Sequence, residues 1–187
     1  MKKIILLLIL VGITFLGCSD NLENTNVTAP TSTNDLTKSM PRLSIICTWL
    51  YASKLVDGSI GCDFIYDTTF INTQGREINV YARLKIEPGS FKGITEIIMI
   101  PNAENLSIQL FPEMTFYEEI KLTLRFQGID LKSFGYNKTG PVDFAFFPDN
   151  GGFELIESDF SHVNIPRDEI KVMNARLYHF SRYGWIR

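Results

Sequence analysis

Histidine is scarce in this chain, with only His162 and His179 among 187 residues. Nucleophile–base pairs of the hydrolase kind therefore have few general bases to draw on. Cysteine is scarce too, Cys18, Cys47 and Cys62 being the full set. Two histidines and three cysteines at these spacings fit no zinc pattern, so no metal site is expected. The chain has no glycine-rich phosphate loop, Walker pattern, HExxH or G-x-S-x-G, and no cofactor is expected. Basic runs are missing as well, and the formal charge is −3. That balance speaks against a nucleic-acid partner, which needs a cationic stripe. Helical periodicity is also missing, since no segment keeps a 3.6-residue apolar period over several turns.

One long apolar run is present. Lys2 and Lys3 precede Ile4 to Leu16, and Gly17-Cys18 follow directly. A charged start, a short apolar stretch and a small residue before the cut describe a secretory signal peptide. The run falls short of the roughly 20 apolar residues that span a bilayer as a helix. Phe15-Leu16-Gly17-Cys18 resembles the bacterial lipobox, although Phe15 stands where leucine is usual. The resemblance implies export, cleavage before Cys18 and lipid on that cysteine; the competing reading is an ordinary signal peptide with Cys18 incidental. Several acyl chains, at about 0.8 kcal/mol per buried CH₂, make such an anchor stable. Ser19 and Asp20 resemble the serine-containing acidic tag behind the cysteine of some surface-exported lipoproteins, which implies an outer-membrane address.

Residues 1–17 are thus expected to be a leader. Residues 18–40 are a lipidated cysteine with its tether, and 41–187 a single domain. Loss of Lys2 and Lys3 leaves 16 of the 18 basic residues against 21 acidic ones. Ser19 to Lys38, rich in Asn, Thr and Ser, reads as disordered chain. Such a tether spans roughly 25 Å on average. With Cys18 lipidated in an oxidising compartment, Cys47 and Cys62 are a candidate disulfide. Two buried thiols are the other reading, and the sequence leaves both open.

From Leu43 onward the dominant period is two. Ile78, Val80, Ala82, Leu84 and Ile86 alternate with Asn79, Tyr81, Arg83 and Lys85. Ile120, Leu122, Leu124 and Phe126 alternate with Lys121, Thr123 and Arg125, and Val142, Phe144 and Phe146 repeat the pattern. Alternation places one row in a core and the other toward solvent. On this basis Leu84, Ile86, Leu122, Leu124 and Phe144 are expected inside, and Arg83, Lys85, Lys121 and Arg125 outside. Further strands are expected at 45–51, 62–66, 96–100, 107–111, 153–157 and 172–180. Turn chemistry separates them at Thr73-Gln74-Gly75, Pro88-Gly89, Pro101-Asn102, Pro148 to Gly152 and Ile165 to Asp168. Many short strands with regular turns predict an all-β fold, an antiparallel β-sandwich.

Several landmarks then recur in order. Asp57-Gly58-Ser59-Ile60-Gly61 precedes a strand, Leu84 to Phe91 (Leu-Lys-Ile-Glu-Pro-Gly-Ser-Phe) closes the next, and Thr95 to Ile100 follows. Phe111-Pro112 and Phe116 precede the Ile120 strand, and the chain closes on His179-Phe180-Ser181-Arg182-Tyr183. Over residues 55–187 this resembles the β-sandwich domain named after zonula occludens proteins and the uncoordinated netrin receptors. Glu87 departs from that pattern, where a small or proline-like residue is frequent, and the partner domains of the animal proteins are missing. The resemblance implies interaction and scaffolding. It also implies a sharper chemistry, because some members cleave themselves between Phe and Ser of a His-Phe-Ser motif. His179 and Ser181 would carry it: the serine hydroxyl attacks the preceding carbonyl and a histidine takes its proton. The competing reading has His179 and Ser181 satisfying backbone groups at a strand end while Phe180 and Tyr183 pack.

The expected function is accordingly a non-catalytic interaction or scaffold module, held on the cell envelope through Cys18. Its partner is the bilayer together with an envelope protein or glycan. Trp49, Tyr51, Tyr81, Tyr183 and Trp185 are candidates for an exposed aromatic platform that takes carbohydrate. His162 is read as a surface histidine in a turn, and Glu118-Glu119 and Asp168-Glu169 as solvated charges in or beside turns. The leader generates a direct test. Cys18→Ser should abolish incorporation of a fatty-acid label and move the protein from the membrane to the soluble fraction; a variant as membrane-bound and labelled as wild type refutes lipidation.

Overall fold

Ile78, Val80, Ala82, Leu84 and Ile86 all turn inward along one strand, and each is buried. Opposite them Leu122 pairs with Leu84, Leu124 with Ala82 and Phe126 with Val80. This is the seed of an antiparallel β-sandwich, seen in a computed structural model that describes residues 50–187. The leader, Cys18, the tether, Cys47, Trp49 and residues 45–49 of the strand expected at 45–51 lie outside the described residues, and Leu50 and Tyr51 are not in a strand.

Among the described residues twelve strands build two sheets. The first runs in the order β1 (Ala52–Asp57), β4 (Ile94–Asn102), β5 (Ser107–Phe111), β12 (Arg182–Trp185), β8 (Phe144–Phe146) and β9 (Glu154–Leu155). The second runs β2 (Cys62–Ile71), β3 (Glu77–Ile86), β6 (Thr115–Gln127), β11 (Glu169–His179), β10 (Phe160–Asn164) and β7 (Gly140–Pro141). Every pairing is antiparallel. Among the described residues no α-helix forms, and a single 3₁₀ turn at Ile165–Arg167 links β10 to β11. One continuous core lies between the sheets, and it includes Leu84, Ile86, Leu122, Leu124 and Phe144 as the alternation requires.

Aromatic rings join the two sheets. Phe126 of β6 meets Trp185 of β12 edge-on at 6.0 Å between centroids, and Trp185 meets Phe144 at 5.2 Å. The indole Nε1 donates to the Ser161 hydroxyl on β10 at 3.0 Å, a second link between sheets. At the other end Phe116 packs edge-on against Phe180 at 4.7 Å and lies 6.4 Å from Phe91. Edge-to-face pairs of this kind add about 0.5–1.5 kcal/mol beyond area burial.

Turn residues hold the connections. In the β2–β3 hairpin, Asn72 Oδ1 accepts from the backbone of Gln74 at 3.0 Å and of Arg76 at 2.9 Å, while Gly75 takes φ +75°. Gly58 is fixed by contact: its carbonyl accepts from Gly89 at 2.8 Å, and an added Cβ would collide with the backbone and ring of Phe91. The Asp57 to Gly61 and Pro88 to Phe91 landmarks therefore dock on one another.

Several expectations are corrected. β1 starts at Ala52 and was missed because only Val56 reads as a core residue; Lys54 takes an inward register and lays its ammonium 6.0 Å from the Phe64 ring centroid. β10 at Phe160–Asn164 was also missed, and His162 lies in it rather than in a turn, 5.3 Å from the Phe160 ring. Flanking turn residues disguised a strand whose one deeply buried side chain is Val163. The strand expected at 153–157 shrinks to Glu154–Leu155, and Val142 precedes β8, its N–H donating to Ser161. Glu118 and Glu119 belong to β6, which starts before Ile120, and Glu169 opens β11 while only 7 % exposed. Lys171 lies 3.7 Å from that carboxylate and offsets its charge. Lys85 is exposed, but Arg83, Lys121 and Arg125 are half-buried because their stems lie along the sheet. Arg83 grips Asp63 at 3.0 and 2.8 Å, while Arg125 covers the Tyr81 ring and bonds Asn79 at 2.7 Å.

The alternation has an energetic consequence. Leu122→Ala should cost about 2–5 kcal/mol by urea unfolding, as for other fully buried leucines. Lys121→Ala next to it should stay within about 0.5 kcal/mol. Equal losses at the two positions would contradict the buried-row assignment.

Candidate functional site

The His179-Phe180-Ser181 corner is where the chain leaves β11 and enters β12, passing from one sheet to the other. It is pinned on both sides: the Phe180 N–H donates to Met114 O and the Ser181 carbonyl accepts from Leu110 N, each at 2.9 Å. The Phe180 side chain is buried between them. The Tyr183 hydroxyl donates to the His179 carbonyl at 2.5 Å and lies 3.2 Å from Nδ1 of the same residue. The His179 ring also packs edge-on against Phe146 at 4.5 Å. Positive φ outside glycine falls at Leu106, Asp168 and Asn174 among the described residues, not at Phe180 or Ser181.

The aromatic platform is corrected. Tyr183 and Trp185 are 0 % and 3 % exposed and belong to the core, whereas Tyr51 is exposed and Tyr81 half-buried under Arg125. Trp49 lies outside the described residues. Inward register on β12 decides this, since Tyr183 faces Ile108 and Phe146 across the sheet. Cys62 is half-buried on β2, its thiol pushed up chiefly by burial; its candidate partner Cys47 is outside the described residues. Among the described residues no three of His, Cys, Asp and Glu come together as a metal would need.

A different surface is built by a fault in the strand register. β6 pairs with β11 at Ile120↔Leu177 and again at Thr115↔His179. Between those pairs Tyr178 alone opposes Phe116, Tyr117, Glu118 and Glu119. Surplus residues on one strand cannot join the ladder, so they bulge and re-aim their side chains. Phe116 turns inward onto Phe180, while Tyr117 stands 70 % exposed and Tyr178 60 % exposed. The result is an open groove of about 650 Å³ lined by Glu87, Pro88, Tyr117, Glu118, Glu119, Lys121 and Tyr178. Its charges are largely matched. Glu119 is 3.7 Å from Lys121 and 3.9 Å from Arg176, Glu87 pairs with Lys85, and Lys92 sits over Tyr117. The Tyr178 hydroxyl reaches Glu119 at 3.5 Å. Sequence reasoning passed over these tyrosines. The signal was the consecutive Tyr117-Glu118-Glu119, three polar-tipped residues that break the two-residue period ahead of Ile120.

A second, shallower groove of about 420 Å³ lies among Tyr136, Asn137, Lys138, Val142, Asp143, Val163, Ile186 and Arg187. Surface carboxylates with lowered pKa lie elsewhere. Hydrogen bonds from Ser59 hold Asp57 down, and the Arg83 guanidinium holds Asp63 down. Neither a family model nor a curated protein nor a solved structure matches this chain.

The buried phenols make stability sensitive to alkali. Burial pushes Tyr136 up to about 12 against a partial pull from Arg187, and it pushes Tyr183 far above the ordinary tyrosine value. The folded chain therefore keeps protons that the unfolded chain loses above about pH 10. Stability is at its full value below that pH and falls as pH rises toward 12. The urea midpoint should hold steady up to about pH 9 and then decline, with Tyr136→Phe removing part of the decline. A midpoint that rises with pH above 10 would contradict the burial of these phenols.

Proposed function

We propose that this chain is an envelope lipoprotein, anchored through Cys18 on the outer membrane, whose β-sandwich is a non-catalytic interaction module. The observation that carries the reading is the outer face of the second sheet. A register bulge there presents exposed Tyr117 and Tyr178 amid matched charges, the makeup of a contact surface. Aromatic side chains supply rigid contact area and charge pairs set orientation, as at recognition surfaces generally. The resemblance to the zonula-occludens and netrin-receptor β-sandwich domain belongs to the same proposal, and the two-sheet antiparallel architecture is compatible with it.

Non-catalytic extends to the chain's own backbone. His179 is engaged by Tyr183 and Phe146, the hydrogen bonds flanking Phe180–Ser181 are made, and no unusual φ marks the bond. In this reading Ser181 to Arg187 stays covalently attached.

One measurement tests both ends of the proposal. Intact mass of protein extracted from membranes should give a chain that starts at Cys18, carries acyl chains and ends at Arg187. A species ending at Phe180 and abolished by Ser181→Ala would establish self-cleavage and overturn the non-catalytic part. An unmodified Cys18 would overturn the anchor.

A further inference from the structure

Resting on the reading of this chain as a surface interaction module, we propose that the groove beside the β6 bulge binds a short neutral oligosaccharide. The choice of ligand class follows from the lining. Glu87, Glu118 and Glu119 face a single groove lysine, Lys121, so an anionic ligand such as a phosphate or a uronic acid meets repulsion. A cation finds only Glu118 without an ion pair among the described residues, because Glu87 is held by Lys85, and Glu119 is shared by Lys121 at 3.7 Å and Arg176 at 3.9 Å. A purely apolar ligand would strip water from these carboxylates without replacing their hydrogen bonds, which weakens its binding. What remains is an uncharged molecule with many hydroxyl groups and some apolar faces.

A sugar ring has both. Its C–H face stacks on an aromatic ring, and its hydroxyls donate to carboxylates and accept from an ammonium. Tyr117 and Tyr178 offer two rings from neighbouring strands, and Glu118, without an ion pair among the described residues, offers an acceptor. The groove volume of about 650 Å³ falls inside the usual range for small-ligand sites. It is open along the sheet, which suits a chain end or an internal stretch of a longer glycan. The backbone beneath the rings is held, since the Tyr117 N–H donates to Ser90 O at 2.8 Å, and Glu119 lies between Lys121 and Arg176.

The test uses the full chain in detergent, first on an array of neutral and charged oligosaccharides and then by titration calorimetry with the best neutral binder. Binding of a neutral oligosaccharide is expected, with Tyr117→Ala and Tyr178→Ala each weakening it roughly tenfold, as for loss of an aromatic anchor. Tyr178→Phe should keep most of the affinity because the ring face remains. Both tyrosines are exposed, so unchanged melting temperatures should accompany the loss. No binding to any neutral sugar at millimolar concentration overturns the proposal. Binding of acidic sugars alone, or binding indifferent to both alanine variants, overturns it equally. The anchored-module reading is decided separately by the lipid on Cys18, so either idea can fall while the other stands.

Discussion

The sandwich depends on a single crossing. At His179-Phe180-Ser181 the chain passes out of the second sheet and becomes β12, which lies between β5 and β8 in the interior of the first. Without β12 the first sheet splits into two fragments, because β5 and β8 have no ladder to one another. The crossing also places Tyr183 and Trp185 between the sheets, where Trp185 contacts Phe126 and Phe144 and bonds Ser161. The final residues of the sequence therefore complete the core. This gives the terminal aromatic motif a structural reason independent of any chemistry at Ser181.

The second sheet pairs β2, β3 and β6 without a break, and its irregularity falls between the two central strands, β6 and β11. β11 contains one register shift between Val172 and Ala175, where Asn174 takes φ +52° and bonds Asp159 at 2.8 Å. The larger shift follows at Tyr178, opposite Phe116 to Glu119. Four residues against one cannot be absorbed by twist. The surplus loops outward, carrying Tyr117 and Glu118 into solvent, while Phe116 fills the space left near Phe180 and Phe91. The contact surface and the packing of the crossing are thus two sides of one distortion.

The core rows were legible in the sequence because burial on one face enforces a strict period of two. Leu84, Ile86, Leu122, Leu124 and Phe144 needed no tertiary information. Edge elements carried weaker signals. β1 and β10 each bury only one residue deeply, Val56 and Val163, and their remaining positions are free to be polar. Residues that mix an apolar body with a polar tip were the least legible. Tyr183 and Trp185 went inside because Ser161 and the His179 carbonyl meet their polar atoms there, and Tyr117 and Tyr178 went outside because the ladder failed beneath them. The register fault depends on how two strands some sixty residues apart align, and β6's own pattern hints at it only through the broken period at Tyr117 to Glu119.

Where the perturbed groups fall bears on what the domain does. Active sites gather groups with shifted pKa values into one cleft, since catalysis needs them to act together. Here they are scattered. Asp57 is held by Ser59 in a turn and Asp63 by Arg83 on the outer face of the second sheet, whereas Tyr136 and Tyr183 owe their shifts to burial. Only Tyr183 touches His179, and its burial holds that phenol in the protonated, donating form. A neutral donor fixed on the His179 carbonyl steadies the crossing. The groove beside Tyr117, by contrast, joins exposed rings to carboxylates of which Glu87 and Glu119 are paired with neighbouring cations. Exposed rings beside charged groups are the makeup of contact surfaces, and the proposed function is placed there on that ground.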